Sequence, residues 1–351
     1  MRDRSRCPAI PELRLLPAQS LGERILGRMD NVNADKTANA ATSWPALPLE
    51  DWRPTCATLH MWTQIVGKVR SALSPHVNHW WEVPLYVSVR GLTTSPIPYG
   101  DRVFEIEFDF LDHNLAIRSS DRATKFVPLY PRSVADFYGE VMAVLRAMRM
   151  EIRIWPKPVE IPDPIPFPDD EQHASYDAQF VSRFYHILLQ VDAIFKEFRG
   201  RFIGKVSPVH FFWGSFDLAV TRFSGRRAPE REGADSITRE AYSHECSSAG
   251  FWPGSGDIAG PAFYSYAAPA PQGYSTYQVL SPAAFYHSEL GEFVLMYDEV
   301  RKAGAPRDTL LDFLQSTYEA AANLANWDRA ALESPPIPKS TDRGARPAHV
   351  P

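Results

Sequence analysis

Cysteine is scarce in this chain of 351 residues, with only Cys7, Cys56 and Cys246. An odd and sparse set cannot form a disulfide framework, which predicts a cytoplasmic protein. The Cys-x-x-Cys pairs typical of structural zinc sites are also missing, so local spacing predicts no metal site.

Long apolar runs and an excess of basic charge are missing as well. No stretch is long enough for a transmembrane segment or for the core of a signal peptide. The net charge of −5 lacks the basic field of a nucleic-acid or anionic-membrane surface, so we expect neither partner. Gly254, Gly256 and Gly260 form no strand-to-helix phosphate loop, and no Gly-x-Ser-x-Gly elbow occurs, which argues against common nucleotide sites and α/β-hydrolases.

Proline and tryptophan are abundant instead, with 31 and nine residues. Prolines crowd the segment 156–171, where they predict an extended strap without hydrogen-bond donors for a β-ladder. This linker separates a first lobe, 44–155, from a second, 172–333. We expect 1–43 to be a disordered or spurious extension, with Met29 as an alternative start, and 334–351 to be a disordered tail.

The two lobes show similar landmarks in the same order, which predicts an internal duplication. Each begins with apolar residues at three- and four-residue steps, typical of an amphipathic helix, followed by Ser-Pro and by a His-aromatic cluster. The landmarks are Leu59 to Val69, Ser74-Pro75 and His79-Trp80-Trp81 in the first lobe, and Phe184 to Phe195, Ser207-Pro208 and His210 to Trp213 in the second.

Strand patterns follow each cluster. From Val103 to Phe110 apolar and acidic residues alternate, which predicts a strand with one buried face and one wet face carrying Glu105, Glu107 and Asp109. A strand and a helix close each lobe, and Ser133 is the expected N-cap of the first closing helix. We therefore predict an α+β fold of two similar helix–antiparallel sheet–helix lobes, although unrelated α+β domains share such a coarse order.

Several long aromatic motifs resemble a known bacterial family, domain of unknown function 5996, over about residues 44–333. They are His60-Met-Trp-Thr-Gln64, Asn78-His-Trp-Trp81, Gly91-Leu-Thr-Thr-Ser-Pro96, Ser207 to Gly225 and Gly250-Phe-Trp-Pro-Gly254. The resemblance implies no activity, cofactor or catalytic residue.

The two His-aromatic clusters are the main candidate site. If the lobes pack about a pseudo-two-fold axis, the clusters would line one cleft, with aromatic walls and titratable donors. Alternatively, the tryptophans fill the core and the arginines pair with acidic residues. The expected ligand-binding set is His79, Trp80, Trp81, Arg90, His210, Trp213, Arg222, His244 and Trp252, with Arg226 and Arg227 as further candidate anion-binding arginines.

Catalytic alternatives centre on His210, His244 and Glu245. His244 and Cys246 would share a strand face, which allows a Cys–His pair, although a free cysteine is more often buried and inert. His79, His210, His244 and Glu245 would form a metal site only if folding brought them together.

The lead prediction is therefore a protein that recognises a small organic ligand in an inter-lobe cleft lined by Trp and His. A hydrolytic or metal-assisted enzyme, and a non-catalytic protein-interaction module, are the alternatives. The sequence indicates no cofactor, ligand identity or oligomeric state.

Overall fold

The computed structural model describes residues 44–254 and 258–334, which combine helices with two antiparallel sheets, so the predicted α+β class is confirmed. The predictions for 1–43 and for 335–351 lie outside the described residues. No helix in the described part is long and apolar enough to cross a membrane.

The helices are α1 Leu49–Leu73, α2 Val134–Ala147, α3 Ala178–Gly200, α4 Ser236–Ala241, α5 Tyr297–Lys302, α6 Pro306–Leu324 and α7 Arg329–Leu332. The strands are β1 Tyr86–Val87, β2 Gly91–Thr93, β3 Ile97–Tyr99, β4 Arg102–Asp109, β5 Asn114–Ser119, β6 Thr124–Pro128, β7 His210–Phe212, β8 Asp217–Arg227, β9 His244–Trp252, β10 Ala262–Ala268, β11 Phe285–His287 and β12 Glu292–Met296.

The long helices form where the apolar spacing predicts them. In α1 the residues at three- and four-residue steps are fully buried, Leu59, Trp62, Ile65, Val66 and Val69 among them. The helix ends where Ser74 adopts an extended conformation, because the following proline disfavours a helical residue before it. The Ser133 hydroxyl accepts a hydrogen bond from the Asp136 N–H at 3.1 Å, which confirms the predicted N-cap of α2.

The first sheet has the order β1-β2-β4-β5-β6, and β3 pairs with β4 beside β2. The apolar face of β4 is buried as predicted, but the acidic face that we expected to be solvent-exposed is partly covered. Glu107 and Asp109 are only 7% and 4% exposed. Neighbouring arginines cover them, since Arg118 contacts Glu107 at 2.7 Å and Arg90 contacts Asp109 at 2.5 Å.

The second sheet has the order β11-β12-β10-β9-β8-β7 and packs against α3 and α6. Helix α3 buries Phe184, Ile187, Leu188, Val191 and Phe195, as its spacing predicts. The β8–β9 ladder is irregular between Phe223 and Arg227.

The two sheets meet edge to edge. Leu85, just before β1, and Phe211 in β7 exchange two backbone hydrogen bonds of 2.8 Å in an antiparallel bridge. One hydrophobic core extends from Trp44 to Trp327 and includes residues of both halves. This junction places the first half's loop after α1 beside the face of the second sheet.

Candidate functional site

A cleft of about 900 Å³ lies over one face of the second sheet. Its floor is formed by alternate residues of three adjacent strands, because side chains two apart point to the same face. The register places Thr221 opposite Ser248, and Ser248 opposite Tyr266. The floor residues are Asp217, Ala219, Thr221 and Phe223 of β8, Cys246 and Ser248 of β9, and Tyr264 and Tyr266 of β10.

Four tryptophans line the cleft: Trp80, Trp81, Trp155 and Trp213. Trp155 is 71% exposed, whereas Trp213 is only 9% exposed. The indole N–H of Trp213 donates to the Val83 carbonyl at 2.8 Å. The structure thus brings together three of the four tryptophans in the predicted set, while Trp155, the residue just before the strap, was missed.

His79 also lines the cleft and has a defined tautomer. Its Nδ1 donates to the Ala241 carbonyl at 3.2 Å, so Nε2 accepts from the Lys205 ammonium at 2.6 Å. Burial, and then the Lys205 charge, hold the pKa of His79 below its ordinary value. The backbone of His79 is left-handed, with φ of 63°.

The three predicted histidines lie along one chain of ring contacts. The ring centroids of His79 and His244 are 5.9 Å apart, those of His79 and Trp81 are 5.3 Å apart, and those of Trp81 and His210 are 5.9 Å apart. Only His79 and Trp81 of this chain line the cleft.

His210 is fully buried and does not line the cleft, since the rings of Trp81, Tyr86 and Phe212 surround it. Neither ring nitrogen has a hydrogen-bond partner in the described chain. Burial, with the charges of Arg70 and Arg199, lowers its pKa to about 3. The ring is therefore neutral near pH 7 and too weak a base for efficient proton transfer.

His244 and Glu245, the other catalytic candidates, are not among the residues that line the cleft. The pKa of His244 is lowered by burial and then by the charge of Lys205. Glu245 instead pairs with Arg226 at 2.7 Å.

Arg90, Arg222 and Trp252 are likewise outside the cleft lining. Arg90 pairs with Asp109 and, at 2.6 Å, with Asp112, which is the alternative weighed for this residue. Arg222 is buried with its guanidinium 3.4 Å from the Phe198 ring centroid. Trp252 packs on a small apolar cluster of Ile258, Ala262 and Val294.

Cys246 lies at the cleft floor but is 2% exposed. Burial raises the pKa of its thiol to about 12, so it stays protonated and is a poor nucleophile. The described residues contain no hydrogen bond between Cys246 and His244. Within the same part of the chain, no group of three His, Cys, Asp or Glu is arranged to hold a metal ion.

Three carboxyl residues that the sequence did not predict line the cleft: Asp217, Glu160 and Asp235. Asp217 is 5% exposed and accepts hydrogen bonds from the hydroxyls of Ser215 and Tyr264. Burial raises the pKa of Asp217. Glu160 is an exposed residue of the cleft lining. Partial desolvation of its carboxyl, and then the charge of Asp217, raise its pKa as well.

Glu160 reaches the cleft because the strap is anchored to α1. The buried amide of Gln64 accepts from the Val159 N–H at 2.8 Å and donates to the Val159 carbonyl at 2.9 Å. Glu160 follows with a left-handed φ of 58°, a conformation that costs energy for a non-glycine residue. A Cβ on Gly214 would lie 2.3 Å from the Glu160 Oε1, so a side chain at position 214 would displace this carboxyl.

Comparison with protein families matches residues 44–334 to a family of unknown function, DUF5996. No curated protein and no solved structure matches the chain. The matched range contains all of the described helices and strands and the whole cleft, and it agrees with the resemblance found in the sequence. The chain therefore belongs to the DUF5996 family.

Proposed function

We propose that this protein binds a small organic ligand in the cleft over the second sheet. The observation that carries the proposal is a concavity of about 900 Å³ with four tryptophans in its lining. Small-molecule sites are typically 300–1,000 Å³, with apolar and aromatic walls and a few convergent polar groups. Indole rings supply large, flat contact area together with one donor each.

The polar groups of the cleft support the same function. Asp217 and Glu160 come from different parts of the chain, and Lys68 of α1 contributes a side chain of the opposite charge. Carboxyl groups with raised pKa values in a concave site are typical of binding and catalytic sites.

We do not propose an enzyme that uses His210, His244 or Glu245. The first is fully buried with no hydrogen-bond partner for its ring, and the other two are absent from the cleft lining. A protein-interaction module has no specific support either, because no single contact or patch in residues 44–254 and 258–334 identifies a partner. A cytoplasmic location and the absence of nucleic-acid partners remain predictions from composition.

We also infer that the two halves arose by duplication, with the proline-rich segment 156–171 as the strap between lobes 44–155 and 172–333. Helix α1 precedes the path β1-β2-β4-β5-β6, and helix α3 precedes the path β7-β8-β9-β10-β12. The first strands of the two paths adjoin at the antiparallel Leu85–Phe211 bridge, as a pseudo-two-fold axis would require. β11 is then an addition to the second half.

A thermal-shift screen of a metabolite library tests the binding function. A ligand that binds only the folded state raises Tm, and the rise increases with the ratio of free ligand concentration to Kd. We expect at least one compound to raise Tm in the wild type and to lose this effect in Trp213→Ala. Trp252→Ala, which removes a tryptophan outside the cleft, is the control and should respond like the wild type. A library in which no compound raises Tm argues against the proposal.

A further inference from the structure

Lys68 is a largely buried residue whose ammonium opens onto the cleft. It lies one turn after Gln64 on α1, is 9% exposed and lines the cleft. Its ammonium lies 5.7 Å from the ring centroid of Trp213. Across residues 44–254 and 258–334 we find no hydrogen bond or ion pair to Lys68.

Arg70 and Lys205, two other cations near the cleft, have polar partners, whereas Arg153 lines the cleft at an exposed position. Arg70, one further step along α1, donates to the Glu82 carbonyl at 2.6 Å and is close to the Glu82 charge. Lys205 donates to His79 and lies over the rings of Trp81 and Phe223. In the described chain the Lys68 ammonium has the Trp213 ring beside it but no anionic partner, and it is not one of the fully enclosed polar atoms, so it is open to an anion in the cleft.

The three carboxyl residues of the cleft lining, Asp217, Glu160 and Asp235, do not supply a counter-charge to Lys68. Asp217 accepts hydrogen bonds from Ser215 and Tyr264, and Glu160 lies against Gly214. Asp235 accepts from the N–H groups of Ile237 and Thr238 as the N-cap of α4. None of the three forms an ion pair with Lys68 in the described structure.

We propose that the ligand of this cleft is a monocarboxylate, with its carboxylate on the Lys68 ammonium and its apolar part against Trp213. This inference rests on the proposed binding function. Lys68 is the one largely buried lysine or arginine in the described lining, since Arg153 is exposed, and a single enclosed ammonium balances one negative charge rather than the two of a dianionic phosphate. Lys68 lies in the C-terminal half of α1, so its own helix adds none of the N-terminal positive field that phosphate sites use.

Three compounds that differ only in their end group test the charge preference: 3-phenylpropionate, 3-phenylpropan-1-ol and 3-phenylpropylamine. Each is titrated into the full chain while tryptophan emission is recorded. We expect the acid to bind at least about tenfold more tightly than the alcohol, as one charge-assisted hydrogen bond gives, and the amine to bind most weakly. Equal or tighter binding of the alcohol or amine, or no binding of the acid, overturns the inference.

The variant Lys68→Met removes the charge but keeps length and helix propensity. We expect it to bind the alcohol as the wild type does and to lose the tenfold advantage of the acid. Lys157→Met, at an exposed position of the strap outside the cleft lining, is the matched control and should retain that advantage. Circular dichroism and Tm establish that both variants fold.

An undiminished acid preference in Lys68→Met overturns the assignment of Lys68. The metabolite screen distinguishes failure of the carboxylate inference from failure of the binding function. If the metabolite screen yields ligands but none is a carboxylate, the inference is wrong and the binding function stands. If no compound binds at all, the binding function itself is wrong.

Discussion

The contact between α1 and Trp213 makes a quantitative prediction through Gly67. Alanine within a helix is more favourable than glycine by about 0.8–1 kcal/mol. A Cβ on Gly67, however, would lie 2.3 Å from Cδ1 and Nε1 of Trp213 and 2.4 Å from its Cγ. The indole cannot move freely, since it is 9% exposed and its N–H donates to the Val83 carbonyl.

Gly139 of α2 provides the matched comparison, because a Cβ there meets nothing within 4 Å. Gly139→Ala should therefore raise the free energy of unfolding by about 0.8–1 kcal/mol. In Gly67→Ala the same gain is opposed by overpacking that typically costs about 1–3 kcal/mol. We expect Gly67→Ala to be less stable than Gly139→Ala by about 1–3 kcal/mol.

Urea unfolding followed by circular dichroism measures both variants against the wild type. Gly67→Ala should also shift the tryptophan emission of the folded state, because Trp213 must be displaced from the cleft wall. The reasoning is refuted if Gly67→Ala is as stable as Gly139→Ala and has wild-type emission.

Three further predictions concern the strap, the buried histidine and the buried thiol. Gln64→Leu removes both hydrogen bonds to Val159. We expect it to lower the free energy of unfolding by about 1–3 kcal/mol and to speed tryptic cleavage after Arg153. Unchanged cleavage would contradict the anchoring role of Gln64. In unfolded chains His210 takes up a proton near pH 6.5, but in the folded state only near pH 3, so it destabilises the fold as the pH falls below 6.5. Between pH 7.5 and pH 5, His210→Phe should lose about 2 kcal/mol less stability than the wild type in urea titrations, and equal losses contradict the unpartnered burial. At pH 8 the thiol of Cys246 should react with iodoacetamide much more slowly in the native protein than in the urea-unfolded protein. Peptide mass spectrometry measures both rates, and equal rates would contradict a protonated, enclosed thiol.

Local patterns in the sequence were sufficient for the elements and their caps. The apolar spacing of Leu59 to Val69 predicts α1, and Ser133 predicts the start of α2, because both depend on neighbours within one turn. The alternation in β4 predicts its buried face. It does not reveal that Arg90 and Arg118 cover Glu107 and Asp109, since strand register decides which arginine meets which carboxylate.

The tryptophan lining of the cleft was predicted in outline, but its polar residues were not. The His-aromatic clusters predict that tryptophans line a cleft, yet His210 is enclosed by Trp81, Tyr86 and Phe212, because the edge-to-edge joining of two sheets is not encoded in either strand alone. Glu160 was missed since prolines predict an extended strap but not its anchorage to Gln64. Lys68 was missed because a single lysine in an apolar helix pattern is usually exposed on its outer side. The available signal was that Lys68 and Arg70 fall among the buried positions of α1.

The central claim is that the tryptophan-lined cleft is a ligand site with Trp213 in its wall. The most direct measurement is a titration of tryptophan emission with the best compound from the metabolite screen, on the wild type, Trp213→Phe and Trp252→Phe. We predict a saturable change that is weakened at least about tenfold by Trp213→Phe, consistent with loss of an aromatic anchor, and left unchanged by Trp252→Phe. Identical binding by all three proteins would contradict the claim.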